Sequence, residues 1–158
     1  MFRLEGEKCY LVPFEERHLQ SPDYFRWLRD YEVIKTINRL EYVRPVSFAE
    51  VKEYCERVMR SPSDVFLAIC TREGDQFIGT IRASRIDLVN RTADVGILIG
   101  ERDQWGRGIA TDAIAALGRY LFGRLGLRKL TAGLMRINPA MLRVFEKLGF
   151  RQEGVFRR

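Results

Sequence analysis

Hydrophobic and polar positions along this chain fall into blocks of two periods, and the blocks follow one another in a definite order. Residues 8–14, KCYLVPF, are short, apolar and rich in strand formers, which predicts a first strand. A helix is predicted over SPDYFRWLRDYEVIKTI, residues 21–37, because Ser21, Pro22 and Asp23 together form a helix-start signal. A second helix begins after Ser47, which precedes Glu50 at the capping-box spacing, while Val51, Tyr54, Cys55 and Val58 recur at helical intervals. DVFLAIC, QFIGTIRASRID and TADVGILIG are strand-like and separated by the polar connections TREGD and LVNRT, so a three-stranded antiparallel meander is predicted. Ile109, Ala113, Ile114, Leu117, Tyr120 and Leu121 then trace one apolar helix face. RKLTAGLM returns to strand, NPAMLRVFEKLG is a helix stopped by Gly149, and a further strand begins at Phe150. The resulting order is β-α-α-β-β-β-α-β-α-β, an α+β fold with a mixed, mostly antiparallel sheet flanked by helices.

Composition narrows the class. The 158 residues, 46% hydrophobic and without a repeat or a Pro/Gly/Ser-rich linker, fit one domain spanning 1–158 with a core and a cleft. No apolar run reaches the roughly 18 residues of a membrane span, and MFRLEGEKCYLVPF lacks the order of a signal peptide, so a cytoplasmic address and no membrane partner are expected. Cys9, Cys55 and Cys70 are odd in number and sit within apolar patterns, which predicts reduced core thiols and no metal site. The one histidine, His18, lies among charged residues and is expected at the surface. A net charge of +6 comes from 27 basic residues interleaved with 21 acidic ones, an arrangement that argues against nucleic acid as a partner. Only Arg102 with Arg107, beside a glycine pair, forms an internal basic cluster suited to a small polyanion.

That glycine pair lies in QWGRGIATDA, residues 104–113, where Gly106 and Gly108 run directly into a helical pattern. Glycine lets main-chain N–H groups approach another molecule, and the first N–H groups of a helix lack internal partners, so the segment suits a phosphate or diphosphate. An ordinary glycine turn before a helix fits the ten residues equally well. A dinucleotide-binding loop fits less well, because the third glycine of G-x-G-x-x-G is missing and the preceding strands form hairpins.

Two longer stretches, ADVGILIGERDQWGRGIATDA at 93–113 and INPAMLRVFEKLGFRQEG at 137–154, resemble the GNAT superfamily of acyl-CoA-dependent N-acetyltransferases, in particular its RimJ/RimL-like branch. The resemblance spans nearly the whole chain. It implies that acetyl-CoA is the co-substrate, with its diphosphate held by main-chain N–H groups of Trp105, Gly106, Arg107, Gly108, Ile109, Ala110 and Thr111. Trp105 stands where the family usually has Gln or Arg. Arg102 and Arg107 are further candidates for the negative charge.

The resemblance further implies that Leu98, Ile99 and Gly100 pair with the pantetheine arm as a substitute strand, and that the Leu98 N–H faces the thioester carbonyl. Asp94 occupies the place of the family's frequent Glu and is the candidate base, acting through water because its side chain is shorter, or else a structural hydrogen-bonding residue. Glu101 and Asp103 read as solvated loop carboxylates. Asn138 would hold the pantetheine amides or simply cap the last helix. Phe145 stands where many relatives carry a Tyr that protonates the leaving thiolate, and Met141 replaces a frequent Ser; Phe145 then packs on the cofactor or in the core. The implied activity is direct transfer of acetyl to a primary amine, the alternative being an acyl-CoA sensor without turnover. Acceptors left open are peptide N-termini, polyamines, amino sugars and aminoglycosides, with Trp27, Tyr31, Glu32 and Glu41 as conceivable contacts. Because relatives usually continue into another strand after EGVFRR, either the sequence is truncated or a second copy covers the sheet edge as a homodimer.

Overall fold

In the central strands successive side chains point to opposite faces, and both faces are apolar, so the sheet needs a cover on each side. The computed structural model describes residues 2–35, 47–134 and 138–154. Among these, six strands form one sheet in chain order: β1 (Leu4–Glu5), β2 (Cys9–Pro13), β3 (Val65–Thr71), β4 (Phe77–Asp87), β5 (Thr92–Ile99) and β6 (Lys129–Thr131). Pairing is antiparallel from β1 to β5 and parallel between β5 and β6, the mixed sheet that the element order predicts. One face carries α5 (Ile109–Gly123) and α6 (Pro139–Lys147), whose Ala113, Ile114, Leu117, Leu121 and Phe145 pack with Leu11, Ile69, Ile81 and Val95. The other face carries α1 (Glu16–Leu19), α2 (Pro22–Leu28), α3 (Tyr31–Ile34) and α4 (Phe48–Arg60), centred on the fully buried Trp27 with Leu19, Val51 and Cys55.

The helix expected over residues 21–37 is two short helices as far as the described residues reach. Asp30 separates them: its side chain accepts from the Glu32 N–H at 3.1 Å and caps α3, competing with helix continuation as a short polar side chain does. Ser47 caps α4 through the Glu50 N–H at 3.2 Å, as its spacing predicts. β1 and α1 have no counterpart in the hydrophobic pattern; at two and four residues they are too short to show a period. Residues 150–154 carry no regular structure, and the remainder of the strand expected from Phe150 lies outside the described residues, as does Glu41.

His18 corrects its surface assignment. It is 5% exposed, packs against Phe14 and Phe77, and accepts the Glu15 N–H at Nδ1, 2.9 Å. Burial, reinforced by Arg17, lowers its pKa to about 4. The three cysteines are buried and free.

Candidate active site

The parallel pair β5/β6 is short. Its register runs Thr92↔Lys129, Ala93↔Leu130 and Asp94↔Thr131, after which β6 ends while β5 continues to Ile99. Beyond Asp94 the two strands part, so residues 95–99 present an edge that β6 does not cover. The Gly100 N–H donates to the Ile78 carbonyl of β4 at 2.8 Å, and antiparallel alternation then turns the main-chain groups of Leu98 and Gly96 towards β4 as well. Those of Val95, Ile97 and Ile99 face the fork. The Ile99 carbonyl bears this out by accepting from the Trp105 indole at 2.8 Å. The expectation for Leu98 and Gly100 therefore changes: their N–H groups lie on the β4 side, and only Ile99 of the three lies on the open edge.

Side chains obey the same alternation. Ala93, Val95, Ile97 and Ile99 join the core under α5 and α6, whereas Leu98 packs against the core of the opposite face, which it shares with Asp94 and Gly96. Among the described residues nothing lies within 4 Å of the place a Cβ on Gly96 would take, so none of them covers that face in the middle of β5.

Asp94 is the last paired residue of the fork and 25% of its side chain is exposed. The Thr131 hydroxyl donates to Oδ1, and the Arg85 guanidinium forms an ion pair with Oδ2. Arg85 sits where the β4/β5 register shifts between Ser84 and Asp87, with φ at +50°, a left-handed conformation uncommon for a residue with a Cβ. The carboxylate thus has a polar setting at the vertex, supplied by one residue of β4 and one of β6. Neither partner carries a local sequence signal.

The glycine segment lies at the other end of the open edge. Gly106 and Gly108 have φ of +74° and +81°, and Gly108 is the N-cap of α5 with no side-chain cap. Trp105 is 45% exposed at the start of this loop, and Ile109 anchors the first turn in the core. Ala110 and Thr111 continue that turn. The mouth of α5 keeps its N–H groups clear of side-chain caps, the condition a diphosphate requires.

Two neighbours of the loop differ from expectation. Arg102 is held by Asp30, with Nε to Oδ2 at 2.8 Å and a second guanidinium bond to Oδ1, so it ties β5's end to α3 and is not directed at the loop. Glu101 is not solvated: its side chain is 15% exposed and accepts from the Trp27 indole at 2.8 Å and from Arg26. Trp27 itself underlies Gly100, where a Cβ would collide with the indole, so it is a core residue and not a wall for an acceptor. Asn138 caps α6 by accepting the Met141 N–H at 3.2 Å, and Phe145 is buried edge-on to Phe150 at 4.9 Å, a core placement. No group of His, Cys, Asp or Glu suited to a metal occurs among the described residues.

Sequence reasoning also passed over Asp112. This carboxylate in the first turn of α5 accepts from the N–H groups of Glu7 (2.9 Å), Lys8 (2.8 Å) and Cys9 (3.0 Å), and from the Cys9 thiol at 3.2 Å. Burial pushes its carboxyl up, but these donors together outweigh burial and hold it below the ordinary value. An acidic residue in a first turn reads from sequence only as a partner of the helix dipole.

Residues 8–151 match a family model described as an acetyltransferase (GNAT) domain. The chain is 33% identical over 164 residues to the Probable N-acetyltransferase YjcK of Bacillus subtilis (strain 168), covering 98% of this chain and 87% of that one. It is 27% identical over 157 residues to the human alpha/beta-tubulin-N-acetyltransferase 9, covering 94% and 75% of the two chains. Its fold matches the spermidine N-acetyltransferase of Vibrio cholerae, solved in complex with CoA and spermine, with a TM-score of 0.81, 21% identity, and 94% and 84% of the chains covered.

Proposed function

The chain belongs to the GNAT acetyltransferase family, and from that premise we propose that it transfers acetyl from acetyl-CoA to a primary amine by direct attack in a ternary complex. One observation carries the reading: the open edge of β5 has the mouth of α5 at one end and an aspartate at the other, where β6 parts from it. The Trp105 N–H of the expected set donates instead to the Arg102 carbonyl at 3.1 Å, so a diphosphate on the N–H groups of residues 106–111 directs the pantetheine arm along this edge. Ile97 and Ile99 offer it main-chain partners, and the Ile99 carbonyl keeps a second lone pair besides the one engaged by Trp105. The thioester then lies nearest the vertex, where the Ile97 N–H meets the charge that grows on its carbonyl.

The amine approaches over Gly96, on the face that Asp94 shares, and loses its proton to Asp94 through water. The nitrogen forms the new C–N bond, the C–S bond breaks, and CoA leaves as a thiolate. With Phe145 buried in the core, no tyrosine protonates it at that position; a thiol of pKa ~8.5 departs without one. The proposed acceptors are polyamines and peptide N-termini, supported by the spermine bound in the Vibrio structure and by the protein, tubulin, in the name of the human relative. Within the family, the Trp105-Gly106-Arg107-Gly108 frame supports the RimJ/RimL-like branch, and the free thiols fit a reducing, cytoplasmic setting.

Release of CoA thiol in the presence of spermidine, spermine, N-terminal peptides, amino sugars and aminoglycosides tests the proposal. Turnover with one amine class, absent when that amine is omitted, is expected. CoA binding without turnover across the panel would replace the enzyme with a sensor, and acetyl retained on the denatured protein would replace direct transfer with a covalent route.

A further inference from the structure

Glycines at 106 and 108 make the loop permissive, and permissiveness raises a problem. A peptide plane beside a glycine can flip, exchanging the directions of its carbonyl and its N–H, at little steric expense. If the Arg107–Gly108 plane were flipped, a carbonyl would face the diphosphate. Something must choose the orientation.

The structure supplies a candidate from the far end of the chain. Lys8, in the turn between β1 and β2, donates from Nζ to the Arg107 carbonyl at 2.6 Å, and its ammonium stands 2.8 Å from where a Cβ on Gly108 would be. In a trans peptide the N–H points opposite to the carbonyl, so fixing the Arg107 carbonyl on Lys8 directs the Gly108 N–H the other way. The backbone that carries Lys8 is tied to the same helix, because Asp112 accepts from the N–H groups of Glu7, Lys8 and Cys9. Gly6 completes the tie: a Cβ there would collide with the Asp112 carboxylate. Lys8 and the first turn of α5 are thereby held in one frame.

Resting on the acetyl-CoA reading above, we propose that Lys8 is the positioning residue of the diphosphate loop: it holds the Arg107–Gly108 peptide with its N–H turned to the phosphates. It acts through the loop and from the carbonyl side of that plane. Its ammonium also adds positive charge behind the loop, which no carboxylate among the described residues neutralises by an ion pair.

Lys8→Met tests this with three readouts on the full chain. Losing a hydrogen bond from a charged donor predicts CoA binding weakened by about tenfold in calorimetric titration. The Gly108 amide proton, which moves downfield when CoA is added to the unchanged protein, loses most of that shift in the variant. The melting temperature stays within about 2 °C, since Lys8 is exposed. Unchanged CoA affinity, or a Gly108 amide that still responds fully, overturns the proposal. A large fall in melting temperature assigns Lys8 to general stability and overturns it too. Failure of the unchanged protein to bind CoA sinks the underlying reading as well, which separates the two.

Discussion

At the vertex of the fork the Asp94 carboxylate lies between the Thr131 hydroxyl and the Arg85 guanidinium. Asp94 is legible because it keeps a fixed place in a strand ahead of the glycine loop, and the structure adds that it stands where β5 and β6 part. Its partners Arg85 and Thr131 were not legible, because one depends on a register shift and the other on which strand lies alongside. Asp94→Asn keeps the shape and removes the proposed base, so kcat is expected to fall by about 100-fold with acetyl-CoA KM little changed, as steady-state kinetics would show. A kcat within about twofold of the unchanged enzyme would leave Asp94 a structural residue.

His18 misled the sequence because its burial depends on Phe77, far along the chain. Its folded pKa of about 4 lies below the unfolded value of about 6.5, so the unfolded chain takes up a proton first. Stability is therefore complete above about pH 6.5 and declines as pH falls towards 4, by on the order of 2 kcal/mol. Chemical denaturation across this window should show the slope in the unchanged protein and lose most of it in His18→Gln. A slope that survives in the variant would put the titration elsewhere.

At the scale of elements, periodicity located α4, α5 and α6 and the meander β3–β5, since each buries one face for several turns or residues. The break after α2 was hidden because Asp30 is an acceptable helix residue until its cap and its pairing with Arg102 are seen. The tie between β1–β2 and α5 was hidden because Asp112 and residues 7–9 are far apart in sequence. Asp112→Ala leaves three backbone N–H groups without that acceptor. It is expected to destabilise the protein by on the order of 2–3 kcal/mol and to lower the melting temperature by about 5–10 °C. Because the Asp112 carboxyl lies below its ordinary value, its contribution is present above the unfolded carboxylate range and is lost as pH falls through the folded value, a window more acidic than that of His18. An unchanged melting temperature would mean that water replaces the carboxylate without loss.

The molecule as a whole places two cores back to back across one sheet, and the fork lies where the sheet opens near its β6 edge. The order of elements and the glycine loop were legible because they are local; the setting of the proposed acceptor approach was not, because Arg85, Asp94 and Thr131 come together there from three separate strands. Among the described residues β6 is an edge strand, and a second copy of the chain pairing at that edge is the assembly we propose. A dimeric mass in solution at high concentration is expected, and a monomeric one excludes it.

In the proposed complex the mouth of α5 holds the diphosphate while β5 carries the pantetheine arm into the fork at Asp94. A crystal structure of the CoA complex tests it most directly. Diphosphate oxygens are expected within hydrogen-bond distance of the N–H groups of residues 106–111, the arm alongside residues 95–99, and the sulfur near the vertex. CoA bound elsewhere, or those N–H groups turned away from it, would rule this arrangement out.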